Sequence, residues 1–146
     1  MELTLKHIAF QKPFRAVPVY CTVSQAVKVM NKYNLNAIGV AAGDQLVGIF
    51  TKTDLVRKVI ARDLDPDKLS IIGVATRKMI IGRSTHSYRR YLKKVQQNKI
   101  QYIVVVENRR VIGILSASDI LAVAKRQKEA QLRYVHLLKE ALENVN

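Results

Sequence analysis

Short apolar runs set the rhythm of this chain. From Ala37 to Ala41 and from Gln45 to Phe50 the side chains are almost continuously apolar, and Gly43-Asp44 stands between the two runs. Two such runs around a Gly-Asp pair predict a β-hairpin. Their unbroken Ile and Val content predicts strands covered on both faces. The arrangement returns at Tyr102 to Val106 and Val111 to Leu115, joined through Asn108. Ahead of each hairpin the period changes. Val23, Val27 and Met30 recur at helical spacing with Ala26 beside them. Thr22 and Gln25 have the spacing of a capping box, which places a helix start there. Tyr88, Leu92 and Val95 take the same places in the later segment. An extended stretch precedes each helix, Phe14 to Val19 and Met79 to Gly82.

These elements form an internal repeat. GIFTKTDLV begins at Gly48 and GILSASDIL at Gly113, 65 positions on. The register runs backwards without a gap: Leu46 and Val47 match Val111 and Ile112, Ile38 and Val40 match Ile103 and Val105, and Leu35 matches Ile100. Few positions are identical; what recurs is the apolar pattern and the closing motif. One supersecondary unit is therefore used twice.

A closing helix is predicted from Thr53-Asp54 and again from Ser118-Asp119. The first should end before Asp65-Pro66, where Asp65 would cap a further helix with Pro66 in its first turn. Each unit then reads β-α-β-β-α. Three short strands with two helices leave one sheet face bare, so neither unit should be stable alone. The expected fold class is α/β (α+β), with two such units packed sheet to sheet about a pseudo-two-fold axis. The chain divides into an N-terminal lead (1–11), a first repeat (12–66), a second repeat (67–126) and a helical extension (127–146). In that extension Val135, Leu138 and Leu142 form an apolar stripe with Tyr134 and Ala141 beside it. It should pack on the module or on a second copy.

Both units close on Gly, two apolar residues, Thr or Ser, two variable residues, then Asp: Gly48, Ile49, Phe50, Thr51, Lys52, Thr53, Asp54 and Gly113, Ile114, Leu115, Ser116, Ala117, Ser118, Asp119. A strand ends and a helix begins at Thr51 and at Ser116. Helix-start N–H groups favour anions, and a nearby carboxylate can accept two hydrogen bonds from a ribose diol. The same spacing is also that of a helix cap. One Asp can do both, capping when the site is empty and binding when it is filled.

In element order and closing motif, nearly all of residues 12 to 126 resembles the CBS domain family, named after cystathionine beta-synthase. Ile72-Gly73-Val74-Ala75-Thr76 is similar to that family's linker into a second repeat. The resemblance implies a regulatory module that binds AMP, ADP, ATP or an S-adenosyl compound between its repeats. It implies no required cofactor and no catalysis. It assigns ribose to Asp54 and Asp119, supported by Thr51 and Ser116. The adenine is expected near Ala16, Ala37 and Ile38 in one site, and near Ile81, Tyr102 and Ile103 in the other. Lys52 can reach a phosphate where Ala117 cannot, so the Thr51 and Asp54 site is expected to dominate. Gly39 and Val104 stand where the family commonly has proline, which alters the cleft wall. Family members often pair into discs, so a homodimer is expected.

Composition adds a rival. Twenty-five Lys and Arg face eleven Asp and Glu, a formal net charge of +14. No acidic residue lies between Asp67 and Glu107. Arg89, Arg90, Lys93 and Lys94 form like-charged pairs on a helix over 86–97, where each pair repels its neighbour. An alternative reading is thus a basic adaptor that takes nucleic acid or an acidic protein through residues 77–99. Tyr88 and Tyr91 could stack on bases, although at helical spacing they read as core. His7, His86, His136 and Cys21 share no metal-ligand spacing. No Walker loop, GxSxG elbow or catalytic carboxylate pair is present. With 49% hydrophobic residues the chain can build a core, and no apolar run approaches the roughly 18 residues of a membrane span. The N-terminus lacks a secretory pattern and the one cysteine forms no internal disulfide, so a cytoplasmic setting is expected.

Overall fold

A computed structural model describes residues 2–11 and 14–145. The elements run α1 (Leu5–Ala9), β1 (Ala16–Pro18), α2 (Val23–Lys32), β2 (Ala37–Ala42), β3 (Gln45–Thr51), α3 (Lys52–Asp54), β4 (Ile80–Arg83), α4 (Arg89–Gln96), β5 (Tyr102–Glu107), β6 (Arg110–Ser116) and α5 (Ala117–Glu143). There are two three-stranded sheets, β1-β2-β3 and β4-β5-β6. In each, the first strand is parallel to the second and the second is antiparallel to the third. The strand-helix-strand-strand order read from the sequence thus occurs twice. Both middle strands even break register at the same step, Val40/Ala41 and Val105/Val106. The expected start of the first repeat, residue 12, lies outside the described residues.

Local chemistry explains the element ends. Thr22 caps α2 through its hydroxyl, which accepts from Gln25 N, while the Gln25 side chain accepts from Thr22 N. The first hairpin turns on Gly43 at φ +59°. The second turns on Asn108 and Arg109, at φ +50° and +65°. That is the mirror-image turn whose twist suits a two-residue hairpin.

Strand alternation divides the sheet faces. Ile38, Val40 and Phe50 enter a core with α2, and Ile103, Val105 and Leu115 enter a second core with α4 and α5. Ile49 and Val104 point the other way, yet are 3% and 2% exposed. Neither belongs to a helix-facing core, so the opposite sheet must cover these faces. The repeats meet there, sheet to sheet.

Each core is completed by chain from outside its own repeat. Helix α1 packs in the second core through Leu5, Ile8 and Ala9, and Leu5 N donates to His86 O. The linker does the equivalent for the first core. Ile71 and Val74 are buried in it, and Ile49 and Thr76 exchange backbone hydrogen bonds. The motif glycines make room for these crossings. A Cβ at Gly113 would meet Ala9 Cβ at 2.9 Å, and one at Gly48 would meet Thr76 O at 3.0 Å.

Two expectations need correction. Asp65-Pro66 starts no helix: the Asp65 carboxylate accepts from Asp67 N and closes a tight turn. The first closing helix is α-helical only over Lys52–Asp54 and continues as a wider π-type coil through Leu55–Ile60. Of the two surfaces expected to cover the C-terminal stripe, the module is not the one that does. Residues 128–145 are exposed along their length, with Val135, Leu138 and Leu142 at 48%, 45% and 71%.

Candidate functional site

Both closing motifs sit at the same end of the seam, where a third strand hands over to a helix. In each, the hydroxyl accepts from the Asp backbone N–H and the Asp carboxylate accepts from the Thr or Ser N–H. The distances are 3.0 and 3.0 Å for Thr51 and Asp54, and 3.1 and 2.8 Å for Ser116 and Asp119. Tyr102, from the second repeat, lies within the field of both carboxylates. Burial chiefly, then Asp54 and Asp119, pushes its phenol above the usual tyrosine range.

The two sites are otherwise unlike. Asp54 is 5% exposed. Lys58 Nζ lies 2.9 Å from its Oδ1, and Thr76 Oγ1 donates to Oδ1 and Oδ2 at 3.1 and 3.2 Å. Lys58 also donates to Thr76 Oγ1 and Val74 O. The linker and the closing coil thus supply the partners a ribose would offer. In the second repeat the position matching Lys58 is Val123, which is buried in the core. Asp119 is half-buried and lines a cleft of about 150 Å³ with Ser116, Tyr102 and Ile114 of its own repeat and Ala37 and Asn36 of the other.

The structure therefore brings together Ala37, Tyr102, Ser116 and Asp119. It does not bring the remaining residues to that cleft. Ile38 and Ile103 point into the helix-covered cores and are fully buried, so their side chains cannot wall an adenine pocket. Strand parity relative to Ala37 and Tyr102 carries that information. Ile81 is 61% exposed. Ala16 lines a cavity at the other end of the seam. Lys52 borders a separate hollow beside α2 with Val27, Leu55 and Val56. Sequence reasoning passed over Lys58 and Thr76; the signal for Lys58 was its place four residues after Asp54 on a closing helix.

The basic helix stands apart from the cleft. Arg89, Arg90, Lys93 and Lys94 are exposed, while Tyr88 and Tyr91 are core. Arg89 pairs with Glu2 at 2.9 Å. His86 Nδ1 lies 2.8 Å from Tyr91 Oη. Burial first, then Arg90 and Arg83, hold its imidazole below the usual range. Among the described residues no helix is long and apolar enough to cross a membrane.

Two three-stranded sheets packed face to face, each handing over to a helix at a capped acidic motif, define a duplicated α/β module. The chain belongs to the CBS domain family, whose profile matches residues 5–61 and 92–126. It is 31% identical over 133 residues to the CBS domain-containing protein CBSCBSPB3 of Arabidopsis thaliana, covering 89% of this chain and 24% of that one. The chain thus spans about a quarter of the curated relatives that it matches first. Among solved structures it is similar to the CBS domain pair of protein MJ0100 in complex with 5′-methylthioadenosine and S-adenosyl-L-methionine. That match has 26% identity and a TM-score of 0.73, and covers 87% of this chain and 99% of that one. It is also similar to a hexameric CBS-CP12 protein from bloom-forming cyanobacteria, with 27% identity, a TM-score of 0.72, and coverage of 83% and 67%.

Proposed function

We infer that this chain is a regulatory module that binds an adenosyl compound or adenine nucleotide at the Asp119 end of the seam. The observation that carries this reading is the Asp119 cleft itself. A part-exposed carboxylate at the start of a long helix faces Tyr102 and the other repeat's Ala37 across one opening. Asp119 would accept the ribose hydroxyls and Ser116 would support them. The first-turn N–H groups of α5 would favour a phosphate. The solved pair that holds two adenosyl ligands supports the ligand class. The Asp54 motif is the weaker site in this reading, because its carboxylate is 5% exposed whereas Asp119 opens on the cleft.

The cleft is smaller than the roughly 300–1,000 Å³ of ordinary small-molecule sites. Binding must therefore part the repeats at their shared end, and the ligand has to prefer that arrangement to drive the change. Asp119 is the third residue of the 27-residue α5, which is roughly 40 Å long at 1.5 Å per residue. A small rotation at its start is amplified at its far end. There Leu132, Val135, Leu138 and Leu142 lie exposed at three- and four-residue spacing, a seam for the same helix of a second copy. The hexameric relative supports self-assembly of this module type.

Isothermal titration with S-adenosylmethionine, methylthioadenosine, AMP, ADP and ATP tests the reading. At least one should bind, and Asp119→Asn should weaken it about tenfold or more while keeping the cap acceptor. Absence of heat with all five contradicts it.

A further inference from the structure

The seam has a second end, and a cavity of about 680 Å³ opens there. It is formed where the two hairpin turns approach each other. Asp44 and Leu46 come from the first hairpin, Arg109, Arg110 and Val111 from the second, and Phe14 from the approach to β1. Ala37 and Ser116 mark the Asp119 end of the strands, whereas Ala41 and Arg110 mark this one.

We propose that this hairpin-end cavity binds a small organic anion, a phosphate or carboxylate carried on a flat ring. Its size lies within the range of ordinary small-molecule sites. Arg109, Arg110 and Asp44 are the charged residues of the lining, which is therefore net positive. Among the described residues no ion pair joins Asp44 to either arginine. Guanidinium is the side-chain group best shaped for a planar, two-point grip on carboxylate or phosphate. Phe14, Leu46 and Val111 supply the apolar wall for a ring. Gly39 deepens the wall: a Cβ there would meet Leu46 Cδ1 at 2.7 Å and the Phe14 ring at 3.3 Å.

The backbones of the two turns also differ. Arg109 holds φ +65°, a conformation that a side chain disfavours and glycine takes freely. In the first hairpin the positive φ belongs to Gly43, which matches Asn108; Asp44, the match to Arg109, is not among the positive-φ residues. The repeats are near copies in fold, but only the second places two cations at its turn.

Titration of the ¹⁵N-labelled protein with phenyl phosphate, followed by amide shifts, tests the proposal. Inorganic phosphate and benzyl alcohol serve as the charge-only and ring-only arms. Phenyl phosphate should shift Leu46 and residues 108–111 saturably, and bind about tenfold tighter than either arm. Arg109→Gly with Arg110→Gln should abolish saturation at these amides. Arg109→Gly removes a disfavoured conformation, so the variant's dispersed spectrum reports a retained fold. Asp119→Asn, which disables the other end of the seam, should leave the titration unchanged. The proposal is overturned by an absence of saturable shifts there, by inorganic phosphate matching phenyl phosphate, by persistence of binding in the double variant, or by its loss in Asp119→Asn.

Discussion

At the scale of single residues, the two closing motifs show how equal spacing produces unequal sites. Thr51-Asp54 and Ser116-Asp119 make the same reciprocal cap. They differ in burial: Asp54 is 5% exposed and bonded by Lys58 and Thr76 from outside its motif, while Asp119 lines the cleft. Thr76→Val removes a hydroxyl that donates to a buried carboxylate, and should cost about 1–3 kcal/mol in thermal denaturation. Lys58→Met removes the cation while Asp54 stays buried. Because Lys58 is itself about a third exposed, the loss should be about 1–2 kcal/mol, below that of a fully buried pair. Neither change should weaken binding at Asp119, since both partners act on the other carboxylate. Unchanged melting in both variants would show that the Asp54 network does not hold the linker. The sequence displayed the motif twice but not this inequality, because Thr76 reaches Asp54 only through the fold. The expected order of the two sites rested on Lys52, which faces another hollow.

At the scale of elements, the hairpins, the first helix cap and the repeat register were all legible, because each follows from local chemistry: a turn residue, a capping pair or an apolar period. The destination of α1 was not. Leu5, Ile8 and Ala9 give five residues of helix no reason to join the second repeat rather than the first; that choice is made by Gly113 and the edge of β6. Gly113→Ala would push a Cβ into Ala9, and should cost about 1–3 kcal/mol as overpacking, read by chemical denaturation. The Lys6–Glu107 pair at 2.9 Å ties the same helix to β5. Its hydrogen bond holds the Glu107 carboxyl below the usual glutamate range. A lowered carboxylate pKa stabilises above its ordinary value, and the contribution is lost as pH falls through the lowered one. Wild type and Glu107→Gln should therefore differ in melting temperature at neutral pH and converge in acid. A constant gap across that range would contradict the tie.

At the scale of the whole molecule, two small units that cannot cover their sheets alone bury them against each other, and each borrows a segment from across the seam to finish its core. Unfolding should accordingly be a single transition, with no stable half-molecule. The long C-terminal helix leaves a large apolar face bare. A chain ending at residue 127 should remain folded and run as a smaller assembly than the full chain in light scattering. Equal masses per particle count would remove α5 as the pairing element. Sequence periodicity identified the stripe but could not say which surface covers it, because an amphipathic helix offers the same face to its own module and to a copy.

The most direct test of the ligand reading is a crystal structure of the protein soaked with S-adenosyl-L-methionine. Density for a ribose within hydrogen-bond distance of the Asp119 carboxylate, about 2.6–3.2 Å, with the base beside Tyr102 and Ala37, is the predicted result. Saturating ligand with an unchanged, empty Asp119 cleft would contradict it.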